Sequence, residues 1–193
     1  MYSNKRNYNL FYGSSVDRGF EHLIRMWPDI KKAVPEATLH WCYGTQTFES
    51  MYRTNPERMA WLNKIKDLAK AEGVTNHGRL GFNELTRVRK QCGIWAYPTD
   101  FTEINCITAL ECQRDKVVPV VIELAALEET VGSGIKIKGD IWDKTVRETY
   151  KNELIGLMKD RERWLKESEK AREFAKKYDW DRVASQWEVV FNA

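Results

Sequence analysis

Short apolar runs alternate with stretches of helical periodicity along most of the chain. Tyr8 to Tyr12 reads as a first strand, ended by Gly13-Ser14-Ser15. Asp17 is placed to cap the next helix, whose core face carries Phe20, Leu23, Ile24, Trp27, Ile30 and Val34. Pro28 lies inside that helix and predicts a kink or a split. Ala37 to Tyr43 reads as a second strand stopped by Gly44, and residues 45–54 read as a loop. Asn55-Pro56-Glu57 opens a helix with proline at its first position. Met59, Leu62, Ile65 and Leu68 face inward on it, and Gly73 closes it. Val74 to Arg79, Gly93 to Tyr97 and Val117 to Ile122 supply the third, fourth and fifth strands. Asn83 is placed to cap the helix before the fourth strand, and a helix over about Asn105 to Arg114 precedes the fifth. Ala125 to Val131 predicts a short helix, and Ile135 to Lys138 a sixth strand. From Trp142 onward the pattern is helical and highly charged. It ends in a helix from Asp179 that carries Trp180, Val183, Trp187, Val190 and Phe191.

Strands alternating with helices predict an α/β fold. The expected form is a Rossmann-like, doubly wound parallel sheet of about six strands, with helices on both faces and a helical C-terminal tail. The continuous apolar run 117–122 agrees with a strand buried on both sides. The expected division is a Rossmann-like domain over 1–141, with the helices of 142–193 packed on the same domain. A ligand is expected at the carboxyl ends of the strands, near the switch point.

Composition narrows the classes. The length of 193 residues and a 42% hydrophobic share suit one domain with a real core. A net charge of +3, without a dense Lys/Arg block, argues against nucleic acid as the partner. Cys42, Cys92, Cys106 and Cys112 form no C-x-x-C pair and no zinc spacing, so no metal and no cofactor is expected. Reduced thiols in apolar runs place the chain in the cytoplasm. The start, Met1-Tyr2-Ser3-Asn4-Lys5-Arg6, is polar and does not read as a signal peptide. No apolar run approaches the ~20 residues of a membrane span.

The strand ends carry Gly13-Ser14-Ser15, Tyr43-Gly44, Gly78-Arg79-Leu80 and Thr99-Asp100, which the switch-point rule brings to one crevice. Gly13 lets a ligand approach the backbone, Ser14 and Ser15 offer hydrogen bonds, and Arg18 starts the next helix, where anions are favoured. The bland reading is a strand–helix turn with a solvated arginine. Beyond the fourth strand stand Glu103 and Glu111, an acid-x7-acid segment. Eight helical steps span roughly 12 Å, comparable to the reach from a ribose across a diphosphate to a sugar. Glu111 suits ribose hydroxyls, the amides of Asn105, Cys106 and Ile107 suit phosphate, and Glu103 suits the positive charge at an anomeric carbon. With 28 acidic residues, spacing alone is expected by chance; spacing together with its place in the fold is the argument. His22 and His40 read as packed or surface residues, His77 stays open as a crevice residue, and Cys106 lacks a histidine partner for nucleophilic work.

These segments, in this order, resemble the carboxyl-terminal half of retaining GT-B glycosyltransferases, family 4-like. Tyr12-Gly13-Ser14-Ser15 with Asp17-Arg18-Gly19 is similar to the family's first strand–loop–helix, and Val34-Pro35-Glu36-Ala37-Thr38-Leu39 through Tyr43-Gly44 to its second strand. His77-Gly78-Arg79-Leu80 with Glu84-Leu85 follows its G-x-(x)n-E-L segment, and Tyr97-Pro98-Thr99 with Glu103-x7-Glu111 its Pro-Ser-x-x-E-x7-E signature. Val118-Pro119-Val120-Val121 is similar to the next strand, and Tyr178-Asp179-Trp180 with Val183-Ala184 and Trp187 resembles the closing helix. The resemblance implies a donor-binding domain for a UDP or GDP sugar, used in carbohydrate biosynthesis. It implies Glu111 at the ribose, Glu103 as the catalytic-site residue beside the transferred sugar, and the amides between them at the diphosphate. Arg18 falls at the phosphate position, and Arg79 and Leu80 fall beside the base; Gly13, Ser14 and Tyr43 complete the expected donor site.

Three departures stand out. Ile104-Asn105-Cys106 replaces the usual glycines, which predicts a narrower donor site; Arg114-Asp115-Lys116 replaces a small Ala-Ala-Gly; and Ser14 or Ser15 replaces an arginine. The chain also begins just ahead of the first strand. The expectation is therefore sugar transfer with retention that needs an acceptor-binding partner domain, supplied by another protein or a homo-oligomer, with acceptor glycan or lipid open. The alternative is a non-catalytic nucleotide-sugar-binding or interaction module. A nicotinamide oxidoreductase is disfavoured, because no G-x-G-x-x-G opens the first helix.

Overall fold

A computed structural model describes residues 6–192. Its sheet has six parallel strands: β1 (Arg6–Tyr12), β2 (Thr38–Trp41), β3 (Val74–Asn76), β4 (Cys92–Tyr97), β5 (Val118–Ile122) and β6 (Ile135–Ile137). Their order, β3-β2-β1-β4-β5-β6, is the doubly wound one. It reverses direction between β1 and β4, which are adjacent and registered through Leu10–Ile94 and Phe11–Trp95. Strand β4 is buried along its whole length and reads as a continuous apolar run without alternation, while β1 is apolar and buried over its last three residues, Leu10 to Tyr12.

The connecting helices are α1 (Phe20–Ala33), α2 (Gln46–Tyr52), α3 (Pro56–Leu68), α4 (Phe82–Gln91), α5 (Ile107–Arg114) and α6 (Leu127–Thr130). The tail supplies α7 (Lys144–Lys159), α8 (Arg161–Ala175), a 3-10 turn at Lys176–Tyr178, and α9 (Trp180–Phe191). Helix α1 packs with α3 and α7, and α5 packs with α6 and α8. Three buried hydrogen bonds tie the tail to the sheet: Tyr150 Oη to the Val120 carbonyl at 2.8 Å, Trp164 Nε1 to the Gly93 carbonyl at 2.8 Å, and Asn7 Nδ2 to the Met158 carbonyl at 2.5 Å. The apolar side chains of α9 face outward, with Trp180 84% and Phe191 77% exposed.

Several local expectations are revised. Pro28 neither splits nor ends α1; its side chain faces outward while Ile24, Trp27 and Ile30 hold the helix on the core. Asp17 does not cap that helix. The N-cap is Gly19, and Asp17 instead accepts from Ser15 Oγ at 2.6 Å. Residues 46–52 are a helix where a loop was expected, because Phe48 drives its ring into the core against Tyr52 and Trp61. Gly81, not Asn83, stands at the start of α4. Asn55 does cap α3, accepting from the Arg58 amide at 3.0 Å.

Candidate functional site

The site is built at the switch point, where the loops after β1 and β4 diverge. The β1 loop turns into α1 through Gly19, whose φ of 99° suits glycine. A Cβ there would stand 2.3 Å from the Pro98 carbonyl oxygen, so only glycine lets the two loops touch. Tyr12 pins the same loop from below, donating from Oη to the Ser15 and Arg18 carbonyls at 2.9 and 3.0 Å. Arg18 is thereby aimed across the gap. Its guanidinium lies 3.9 Å from the centre of the Phe101 ring, and its Nη1 is 3.5 Å from Glu103 Oε1.

A cleft of about 200 Å³ opens between these loops. Of the residues expected from sequence, Gly13, Ser14, Arg18 and Tyr43 line one side, and Glu103, Asn105, Cys106 and Ile107 line the other. Sequence reasoning missed Trp95, Tyr97 and Thr108, which also line it. Trp95 and Tyr97 stand two apart on β4, so they share a face of the sheet, and their rings stack 4.9 Å apart. That period-two pair at a strand's carboxyl end was the available signal, hidden because the whole strand is apolar. Tyr97 Oη donates to Glu103 Oε1 at 2.6 Å. Burial raises the Tyr97 phenol well above its ordinary value, and the bond to Glu103 raises it further, so the phenol stays a donor.

Helix α5 begins at Ile107, not Asn105, with Cys106 at the N-cap and no side-chain cap. Its first amides lack intrahelical partners and point toward the cleft end of the helix. Glu103 lies in the loop ahead of it, and its carbonyl accepts from the Ala126 amide at 3.1 Å. Burial pushes the Cys106 thiol up to about 12, which removes it as a nucleophile. Of the three residues that replace the usual glycines, Ile104 is 95% exposed and does not line the cleft, whereas Asn105 and Cys106 do. Tyr43 holds a φ of 137°, rare for a residue with a side chain, while its amide donates to the Gly78 carbonyl at 2.9 Å.

Three expected residues lie outside the lining. Arg79 is exposed, and Leu80 packs partly buried against the core. Glu111 stands further along α5, where its Oε2 accepts from Arg89 Nη1 at 2.8 Å. Arg89 is 1% exposed and also donates from Nε to Asp115 Oδ2 at 2.9 Å. That pair accounts for Asp115 in the segment before β5, and Lys116 there takes the left-handed φ of 58° that a glycine would otherwise supply. His77 is not in the cleft; its Nε2 meets His40 Nδ1 at 3.0 Å.

No protein-family model matches the sequence, and no curated protein sequence matches it significantly. Solved structures do match. The pneumococcal O-GlcNAc transferase GtfA, in complex with UDP and GlcNAc, superposes with a TM-score of 0.76 at 11% identity, over 97% of this chain and 36% of GtfA. Sucrose-phosphate synthase from Thermosynechococcus elongatus gives 0.72 at 16%, over 100% and 46%. The fold is glycosyltransferase-like. Anabaena HepE, in complex with UDP and glucose, gives 0.71 at 14%, over 99% of this chain and 48% of HepE. The chain spans about a third to a half of the length of these proteins. All four cysteines are buried and lie outside any disulfide among the described residues. Among the described residues, no helix is long and apolar enough to cross a membrane, and no group of three or more His, Cys, Asp or Glu could hold a metal ion.

Proposed function

We propose that this chain is the donor half of a glycosyltransferase, holding a nucleoside diphosphate sugar and supporting transfer with retention at the anomeric carbon. The observation that carries the reading is one cleft at the switch point that gathers Glu103, Arg18 and the uncapped N-terminus of α5. The diphosphate takes the α5 amides and competes with Glu103 for Arg18. Glu103, held by Tyr97, then faces the sugar and stabilises the positive charge that develops there. Glu111, clamped by Arg89 through Oε2, accepts a ribose hydroxyl on Oε1. A cleft of about 200 Å³ is smaller than the ~300–1,000 Å³ of a complete ligand site. It therefore encloses part of the donor, and a partner acceptor domain or a second copy closes the rest. Buried thiols outside any disulfide suit a reducing cytoplasm.

Calorimetric titration of the chain with UDP and GDP tests the reading. Binding of one of them is expected, with Glu111→Ala weakening it more than Glu103→Ala. Absence of binding by either nucleotide, or two variants that bind like the parent, refutes the assignment. A chain that binds donor but never transfers sugar, even with acceptor domains supplied, supports the non-catalytic alternative.

A further inference from the structure

A second recess lies on the other side of the β1 loop from the cleft and encloses about 350 Å³. Its walls come from distant parts of the chain: Asp17 from the β1 loop, His22 from α1, Arg58 and Trp61 from α3, Asp100 from the β4 loop, and Trp142 ahead of α7. None of these residues lines the donor cleft.

The polar groups here are fixed, and they are incompletely used. Trp142 Nε1 donates to Asp100 Oδ2 at 2.9 Å, and Trp61 Nε1 donates to Glu21 Oε2 at 2.7 Å. Both indoles are thus held by their edges, and Trp142 remains 57% exposed. Asp100 Oδ1 and Asp17 Oδ2 have no hydrogen-bond partner among the described residues. The Arg58 guanidinium lies over the rings of Tyr52, Phe48 and Trp61, at 4.7, 5.2 and 5.4 Å, and its side chain makes no hydrogen bond among the described residues. His22 is the decisive group. It is 2% exposed, lines the recess and touches the Trp142 ring edge-on at 4.3 Å, yet its ring nitrogens have no hydrogen-bond partner among the described residues. Burial lowers its basicity, so the imidazole is neutral at neutral pH and offers one donor and one acceptor.

The mixture selects a ligand class. A phosphate is an anion and is repelled by the carboxylates of Asp17, Glu21 and Asp100. A quaternary ammonium suits indoles but meets Arg58 and leaves the donors unused. A pyranose carries hydroxyls that each donate and accept, and an apolar face of C–H groups that lies flat on an indole. We propose that this recess is a second site, which binds a neutral saccharide unit beside the donor cleft. It goes beyond the donor reading and stands on different residues, so failure of nucleotide binding leaves it intact, and the reverse holds.

The test is an NMR titration of the indole N–H signals with methyl glucoside, methyl galactoside, N-acetylglucosamine and sucrose at millimolar concentrations, with UDP, tetramethylammonium and inorganic phosphate in parallel. At least one sugar is expected to shift the Trp142 signal saturably. Trp142→Ala, at an exposed position, and Asp17→Asn, at an exposed loop, should each weaken that sugar about tenfold or more, the scale of a lost polar contact or stacking surface. UDP should neither shift Trp142 nor displace the sugar. No saturable shift with any sugar overturns the proposal. So does sugar binding that both variants leave unchanged, displacement by UDP, or saturable binding of tetramethylammonium or phosphate at Trp142 in place of sugar.

Discussion

Arg89→Met removes the cation that two carboxylates share behind the candidate site. Arg89 is 1% exposed, with Nη1 to Glu111 Oε2 at 2.8 Å and Nε to Asp115 Oδ2 at 2.9 Å. Asp115 is itself 4% exposed, so the substitution strands a buried negative charge. Breaking a buried pair by removing one partner costs about 3–5 kcal/mol. Two features pull the cost to the low end. Arg114 still approaches Asp115 at 3.3 Å through its Nε, and Arg89 Nη2 is buried without a partner, so its removal relieves a desolvation penalty. The expected loss is about 3 kcal/mol, or roughly 6–12 °C in melting temperature for a chain of this size. Urea denaturation measures the first and a thermal melt the second. Arg89→Met with Asp115→Leu should recover most of the loss, because the one carboxylate that still loses Arg89 is Glu111, which at 24% exposure reaches water. A loss below about 1 kcal/mol for Arg89→Met alone refutes the reasoning. Nucleotide affinity is a separate readout: it should fall as in Glu111→Ala, because Glu111 loses its clamp.

Two further outcomes follow from the same geometry. Gly19→Ala places a Cβ 2.3 Å from the Pro98 carbonyl oxygen at a φ of 99°. It should cost roughly 3 kcal/mol and displace Arg18 from the cleft; wild-type stability in a urea titration contradicts the close approach of the two loops. Burial lowers the basicity of all three histidines, His22, His40 and His77. The unfolded chain then takes up protons first as pH falls, so stability is complete above the ordinary imidazole value of about 6.5 and declines as pH drops from there through the folded values. Urea midpoints at about pH 7.5 and about pH 5.5 should differ in that direction, before carboxylates titrate; equal midpoints refute it.

The fold was legible because its signals are local and repeated. Apolar runs of five to seven residues, as in 117–122, and helical faces such as Phe20 to Ile30 each report burial directly. Their alternation restricts the topology to a doubly wound parallel sheet, and the structure supplies the strand order within it. Boundaries were less legible. Asp17 and Asn83 are good cap residues by type, but the β1 loop and the start of α4 are placed by contacts elsewhere in the fold, and glycines stand at both N-caps. The helix over Gln46–Tyr52 was invisible because a single buried ring, Phe48, carries its inward face.

By itself the sequence determined the α/β architecture and the place of the acid-x7-acid segment just after the fourth strand. These depend on periodicity and chain order, which need no partner across space. Only the tertiary structure decided that Glu103 and Glu111 part company. Glu103 joins Arg18 and Tyr97 at the cleft, while Glu111 turns to Arg89, a residue 22 positions away in the chain. The recess around His22 is likewise a product of the fold, since its nine lining residues span Val16 to Trp142 and no spacing in the chain connects them. A side chain's partner is set by the packing of whole elements, and that information is absent from any single stretch of sequence.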